Sequence, residues 1–191
     1  MTFRPDIHHR RNLRLLEYDY SAEGLYFITI CTHERKPLFG KIEEDEMLLN
    51  GTGQIIEQQY HLLEQRFPHI QCLEHVVMPN HFHCIIRITD NYVGAPLAGA
   101  LNTSDKSFGH PQGVPLQRAT IGEIVGAFKS ITTNECLKIH KARGKIMGKL
   151  WQRNFYEHII RSQRSYEEIS TYILENPKRW IDDSLYIISS L

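Results

Sequence analysis

The stretch from Leu73 to Ile88 constrains the chain more than any other. Two apolar runs, Leu73–Met78 and His81–Ile88, are joined by Pro79-Asn80. Proline cannot donate to a β-ladder, so it does not sit inside a central strand. The segment is therefore a hairpin, or one strand interrupted at Pro79. Both runs are rich in β-branched and aromatic residues, as is Leu25–Thr32, which reads as a further strand. A chain of 191 residues with three such runs is long enough for one sizeable domain.

Helical periodicity fills the gaps between these runs. Leu48, Ile55, Ile56, Leu62 and Leu63 predict a helix over 47–67, its start blurred by Gly51 and Gly53. Ile121, Ile124, Val125, Phe128 and Ile131 form an amphipathic stripe. Leu150–Ile160 reads as a strand, and Ser165 reads as the cap of a last helix with Glu167 and Glu168 at its positive end. Asn176-Pro177 then stops or bends that helix. The order is strand, helix, strand pair, helix, strand, helix. That is an α+β pattern, the split β-α-β antiparallel sheet of ferredoxin-like folds with a C-terminal helix. The reading is one domain over 1–191, with a basic arm over about 1–20 and a Gly/Pro-rich insertion over about 90–119.

Composition narrows the classes. Lys and Arg number 22, Asp and Glu also 22, so bulk charge alone does not attract a polyanion. The charge is uneven, however: 118–153 carries eight basic residues against two acidic ones. No apolar run reaches the ~18 residues of a membrane span, and the N-terminus lacks the apolar core of a signal peptide. A cytoplasmic, nucleoid-associated protein with no membrane partner is expected. Cys31, Cys72, Cys84 and Cys136 are widely spaced without a Cys-x-x-Cys pair, which reads as reduced thiols.

Two constellations could carry chemistry. In His81-Phe82-His83, strand alternation puts both imidazoles on one face, where they can take adjacent positions on a divalent cation. The plainer alternative is a pair of half-buried strand residues making ordinary hydrogen bonds. In the last helix Ile169, Tyr172, Ile173 and Asn176 share a face, so the phenol and the amide can point at one spot. There the alternative is a tyrosine packed between Ile169 and Ile173.

The motifs Met78-Pro-Asn-His-Phe-His83, Leu150-Trp-Gln-Arg-Asn-Phe-Tyr-Glu-His-Ile-Ile-Arg161 and Tyr172-Ile-Leu-Glu-Asn-Pro177 stand in this order. Together they resemble the single-tyrosine HUH transposases (IS200-like), and most of all the REP-associated tyrosine transposases. Tyr26–Thr32, Leu38-Phe-Gly40 and Phe128-Lys129-Ser130 add to the likeness, which spans nearly the whole chain except 90–119 and the last dozen residues. The resemblance implies that His81, His83 and Asn176 ligate Mg²⁺ or Mn²⁺ and that Tyr172 is the nucleophile. It implies a single-stranded DNA endonuclease and strand transferase, forming a 5′-phosphotyrosine intermediate beside palindromic repeat hairpins, as a monomer or homodimer. Tyr156 competes as nucleophile, whereas Tyr166 lies off the Tyr172 face by roughly 120°. Arg10, Arg11, Arg14, Lys129, Ser130, Lys149 and Arg153 are the candidate DNA contacts. The alternative is a catalytically inactive hairpin-binding protein on the same fold.

Overall fold

A computed structural model describes residues 18–90 and 118–186. The basic arm, with Arg10, Arg11 and Arg14, and almost all of the 90–119 insertion lie outside these residues. Six strands and four α-helices follow one another: β1 Gly24–Cys31, β2 Gly40–Glu43, β3 Glu46–Leu49, α1 Gly51–His61, α2 Leu63–Arg66, β4 Ile70–Met78, β5 His81–Ile88, α3 Ile121–Ala142, β6 Tyr156–Ile160 and α4 Gln163–Glu175. A 3₁₀ segment, Pro177–Asp182, follows α4.

Four strands make the main sheet in the order β4-β5-β1-β6, each neighbouring pair antiparallel. This is the ferredoxin-like order that the strand–helix sequence predicts. Pro79-Asn80 forms the turn of the β4–β5 hairpin, where Met78 pairs with His81. Alternation gives the sheet two apolar faces. Tyr26, Ile28, Ile30, Phe82, Cys84 and Ile86 point to one side and form the main core with Ile56, Tyr60, Val125 and Phe128 of α1 and α3. Ile85 and Ile160 point to the other and pack with Ile173 of α4. All four cysteines are free thiols, three of them buried.

Four expectations need correction. The helix over 47–67 begins at Gly51, because Met47–Leu49 belong to a β2–β3 hairpin. Its two-residue turn, Glu44-Asp45, has φ of 50° and 64°, the geometry of a type I′ turn built without glycine or asparagine. The strand over 150–160 is confined to Tyr156–Ile160, and Trp151 makes one isolated bridge, to Thr32. The cap of α4 is Ser162, whose hydroxyl accepts the Ser165 N–H at 3.2 Å. Starting three residues earlier than expected, α4 leaves Glu167 and Glu168 outside its first turn, where they bond to Gln163 and Arg164 instead.

No helix among the described residues is long and apolar enough to cross a membrane.

Candidate metal and phosphotyrosine site

The site lies at the hairpin end of the sheet, on the face that α4 covers. His81 and His83 project to this face while Phe82 enters the main core, as strand alternation requires. Their rings are 4.4 Å apart between centroids and both are buried. Phe27 of β1 stacks on His83 at 5.2 Å and meets the Tyr172 ring edge-on at 6.3 Å. Helical spacing on α4 brings the other two residues in. The Tyr172 hydroxyl is 3.3 Å from His83 Nε2, and Asn176, one turn on, is buried beside His81.

Hydrogen bonds at the far side of each imidazole fix which nitrogen faces the pocket. The Asn80 amide donates through Nδ2 to the Leu185 carbonyl at 2.8 Å, which leaves Oδ1 to accept from His81 Nδ1 at 2.9 Å. His81 therefore turns a lone pair on Nε2 toward the site. Thr29 Oγ1 stands 2.7 Å from His83 Nδ1 and can accept from it in the same way. Burial drives both rings to the neutral form. It lowers His81 to about 3 and holds His83 well below the ordinary histidine range, with His81 adding repulsion.

Asp183 is a further candidate for the site, and no signal in the sequence points to it. Its carboxylate reaches the pocket from beyond the 3₁₀ segment, with Oδ2 3.0 Å from Asn176 Nδ2, 3.5 Å from the Tyr172 hydroxyl and 3.9 Å from His81 Nε2. The ligating atoms of His81, His83 and Asp183 lie within 4.8 Å of one another. No spacing rule announces Asp183, since it arrives through a turn rather than along a regular face. The Tyr172 phenol is pushed up to about 12, first by burial and then by the Asp183 charge.

The donor set fits a divalent cation. His81 Nε2 and Asn176 Oδ1 are buried without a hydrogen-bond partner among the described residues. Such atoms are rare because each forfeits its hydration. Both carry lone pairs, and a carboxylate stands next to them, so positive charge between them would satisfy all three.

The other candidates separate. Tyr156 is in register with Thr29, so it stands on the site's face of the sheet two strands from His83, and it is 38% exposed. Tyr166 instead donates its hydroxyl to Glu74 at 2.8 Å. Lys129, Ser130, Lys149 and Arg153 come together along one open groove of about 390 Å³ between α3 and the segment before β6. Within it the Lys129 amine already donates to the carbonyls of Gln152 and Arg153 at 2.7 and 2.9 Å. That leaves it one proton for another acceptor.

No protein-family model matches the chain. An uncharacterized protein of Haemophilus influenzae is 41% identical over 182 residues, 95% of each chain, and this chain belongs to its family. Among solved structures, a REP-associated tyrosine transposase bound to a REP hairpin superposes with a TM-score of 0.52 over 87% of this chain and 74% of its own, at 21% identity. This chain has the REP-associated tyrosine transposase fold.

Proposed function

We propose that the protein is a metal-dependent endonuclease and strand transferase for single-stranded DNA beside hairpins, with Tyr172 as nucleophile and His81, His83, Asn176 and Asp183 as the cation site. The observation that carries this reading is the convergence of a phenol, two imidazoles, an amide oxygen and a carboxylate on one pocket, with His81 Nε2 and Asn176 Oδ1 buried there without a hydrogen-bond partner. Buried polar atoms without a partner are uncommon, and here two of them adjoin a carboxylate in one pocket. The transposase of the same fold was solved with a REP hairpin, which supports DNA hairpins as the substrate class here.

In this reading the phenolic oxygen of Tyr172 attacks the scissile phosphorus. The phosphorus–O3′ bond breaks, the phenol proton is lost, and the departing oxygen takes one up to become a free 3′-hydroxyl. The 5′-phosphotyrosine keeps one ester bond for another, so a second 3′-hydroxyl can reverse the step and join strands. Mg²⁺ or Mn²⁺, when bound, polarises the phosphate and offsets the charge developing on the attacking oxygen. The chain supplies orientation: Phe27 and His83 hold the phenol ring, while Thr29 and Asn80 hold the imidazoles. Lys149, Arg153 and Ser130 offer phosphate contacts along their groove.

Incubation with Mn²⁺ and labelled single-stranded DNA carrying an inverted-repeat hairpin tests this. A covalent adduct is expected for the wild type and absent in Tyr172→Phe or with chelator. An adduct that survives in Tyr172→Phe would move the nucleophile to Tyr156. Hairpin binding with no adduct in any variant would make the protein an inactive binder.

A further inference from the structure

The loop after α3 combines features that the cation site does not use. Arg143, Lys145 and Lys149 are exposed there, and between them Ile146 is 99% exposed. The loop cannot turn this side chain inward, because both ends are pinned. Gly144 takes φ of +64° and the Lys145 N–H closes back onto the His140 carbonyl at 2.8 Å, ending the helix in a left-handed cap. On the other side Met147 packs against the core, and the buried Leu150 accepts the His33 N–H at 2.8 Å. Beside the loop runs a cleft of about 510 Å³ lined by His33, Lys36, His140, Ile146, Met147 and Lys149 among others; Glu34 pairs with Lys36 at 2.7 Å, so the positive charge at this lip comes chiefly from Lys149 and the loop's Arg143 and Lys145.

The cleft and the histidine pocket share one end of the sheet. Leu150 bonds to His33, Gln152 N–H bonds to the Cys31 carbonyl, and Cys31 pairs with His81. The cleft opens on the α1 and α3 side of that end and the pocket on the α4 side, so the two are joined around the end of the sheet through these neighbouring strands. A basic cleft suits phosphates, but an isoleucine at its lip gains nothing from them. Apolar side chains held among cations against DNA make their contact with base faces, at ends or opened steps.

We propose that the Gly144–Gly148 loop is a nucleobase-contacting wedge, in which Ile146 packs against exposed base surface of a DNA hairpin while Lys145 and Lys149 hold the adjoining phosphates. This rests on the reading of the protein as a hairpin-directed nuclease and assigns the element that recognises the unpaired part of that DNA. Unpaired or opened steps are bound in preference to uniform duplex, because only they offer Ile146 a base face.

The full-length protein in chelator, which binds without cleaving, provides the test. The probe is an inverted-repeat DNA hairpin with a single-stranded tail, with 2-aminopurine placed at successive positions. Wild type is expected to change the fluorescence at one position, and Ile146→Ser to abolish that change and weaken binding at least fivefold. The slope of log Kd against log salt stays the same in Ile146→Ser, Ile146→Leu binds as wild type, and Lys145→Ala lowers the slope by about 0.7–0.9. If Ile146→Ser binds within twofold of wild type with the same fluorescence response, the wedge is overturned. Adduct formation with Mn²⁺ is scored separately. An adduct with no Ile146 effect sinks the wedge alone, whereas wild type that neither binds nor forms an adduct sinks both readings.

Discussion

Burial outweighs the nearby Asp183 carboxylate and holds the His81 and His83 imidazoles neutral, at the cost of lost hydration. The return is a pair of nitrogens whose lone pairs are aimed before any ion arrives. Thr29 is the clearest test of this preparation, because its buried hydroxyl stands 2.7 Å from His83 Nδ1. Thr29→Val is expected to weaken Mn²⁺ binding about 10- to 100-fold, as losses of such supporting bonds do. Thr29→Ser restores it. Titration followed by Mn²⁺ electron paramagnetic resonance reads this without any DNA, and equal affinities for the three proteins would refute it. The same scale explains what the sequence disclosed. His81 and His83 lie two apart on a strand and Tyr172 and Asn176 four apart on a helix, so periodicity alone brings each pair to one face. Asp183 follows an irregular 3₁₀ turn, for which no period exists.

At the scale of elements, the misread boundaries share a cause: local signals that tertiary contacts override. Gly53 looks like a flaw in a helix, yet a Cβ there would lie 2.3 Å from the Phe39 carbonyl oxygen, which accepts the Asn50 N–H. The missing side chain lets α1 start against the segment entering β2. Gly53→Ala is therefore expected to destabilise the fold by about 1–3 kcal/mol, the usual cost of forced overpacking. Gly126, in the middle of α3, faces open space, so Gly126→Ala gains about 1 kcal/mol of helix propensity. Thermal unfolding should move the two variants in opposite directions, with about 2–4 °C for each kcal/mol. An upward shift in both would show that helix propensity, not the contact, decides. The β2–β3 hairpin carries no turn signature for a related reason. Its turn is Glu44-Asp45 within a run of four acids, where Asn-Gly would have announced it. The apolar run over 150–160 is longer than its strand because its residues serve different contacts, Trp151 donating to Thr132 at 3.0 Å and only 156–160 joining the ladder.

For the molecule as a whole, the sheet order was legible because three strong strand signals and two helical stripes leave few ways to close an antiparallel sheet. The cost of building a polar pocket into that sheet appears as sensitivity to acid. Burial lowers His75, His81 and His83 alike, His81 to about 3. In the unfolded chain these imidazoles take up protons as pH falls below about 6.5. In the fold they take up protons only at lower pH, His81 at about 3. The unfolded state thus binds more protons across the window from 6.5 down to about 3, so stability rises with pH there and is lost as pH falls. Each histidine that is fully protonated only in the unfolded state contributes up to about 1.4 kcal/mol per pH unit. In chelator, the urea midpoint is expected to hold between pH 8 and 7 and to drop steeply from pH 6.5 to 5. His83→Gln should flatten the drop relative to wild type, because one of the protons taken up on unfolding is gone. A midpoint indifferent to pH over that range, or an identical slope in His83→Gln, would mean that the imidazoles are already charged in the fold and could not present the lone pairs on which the cation site depends.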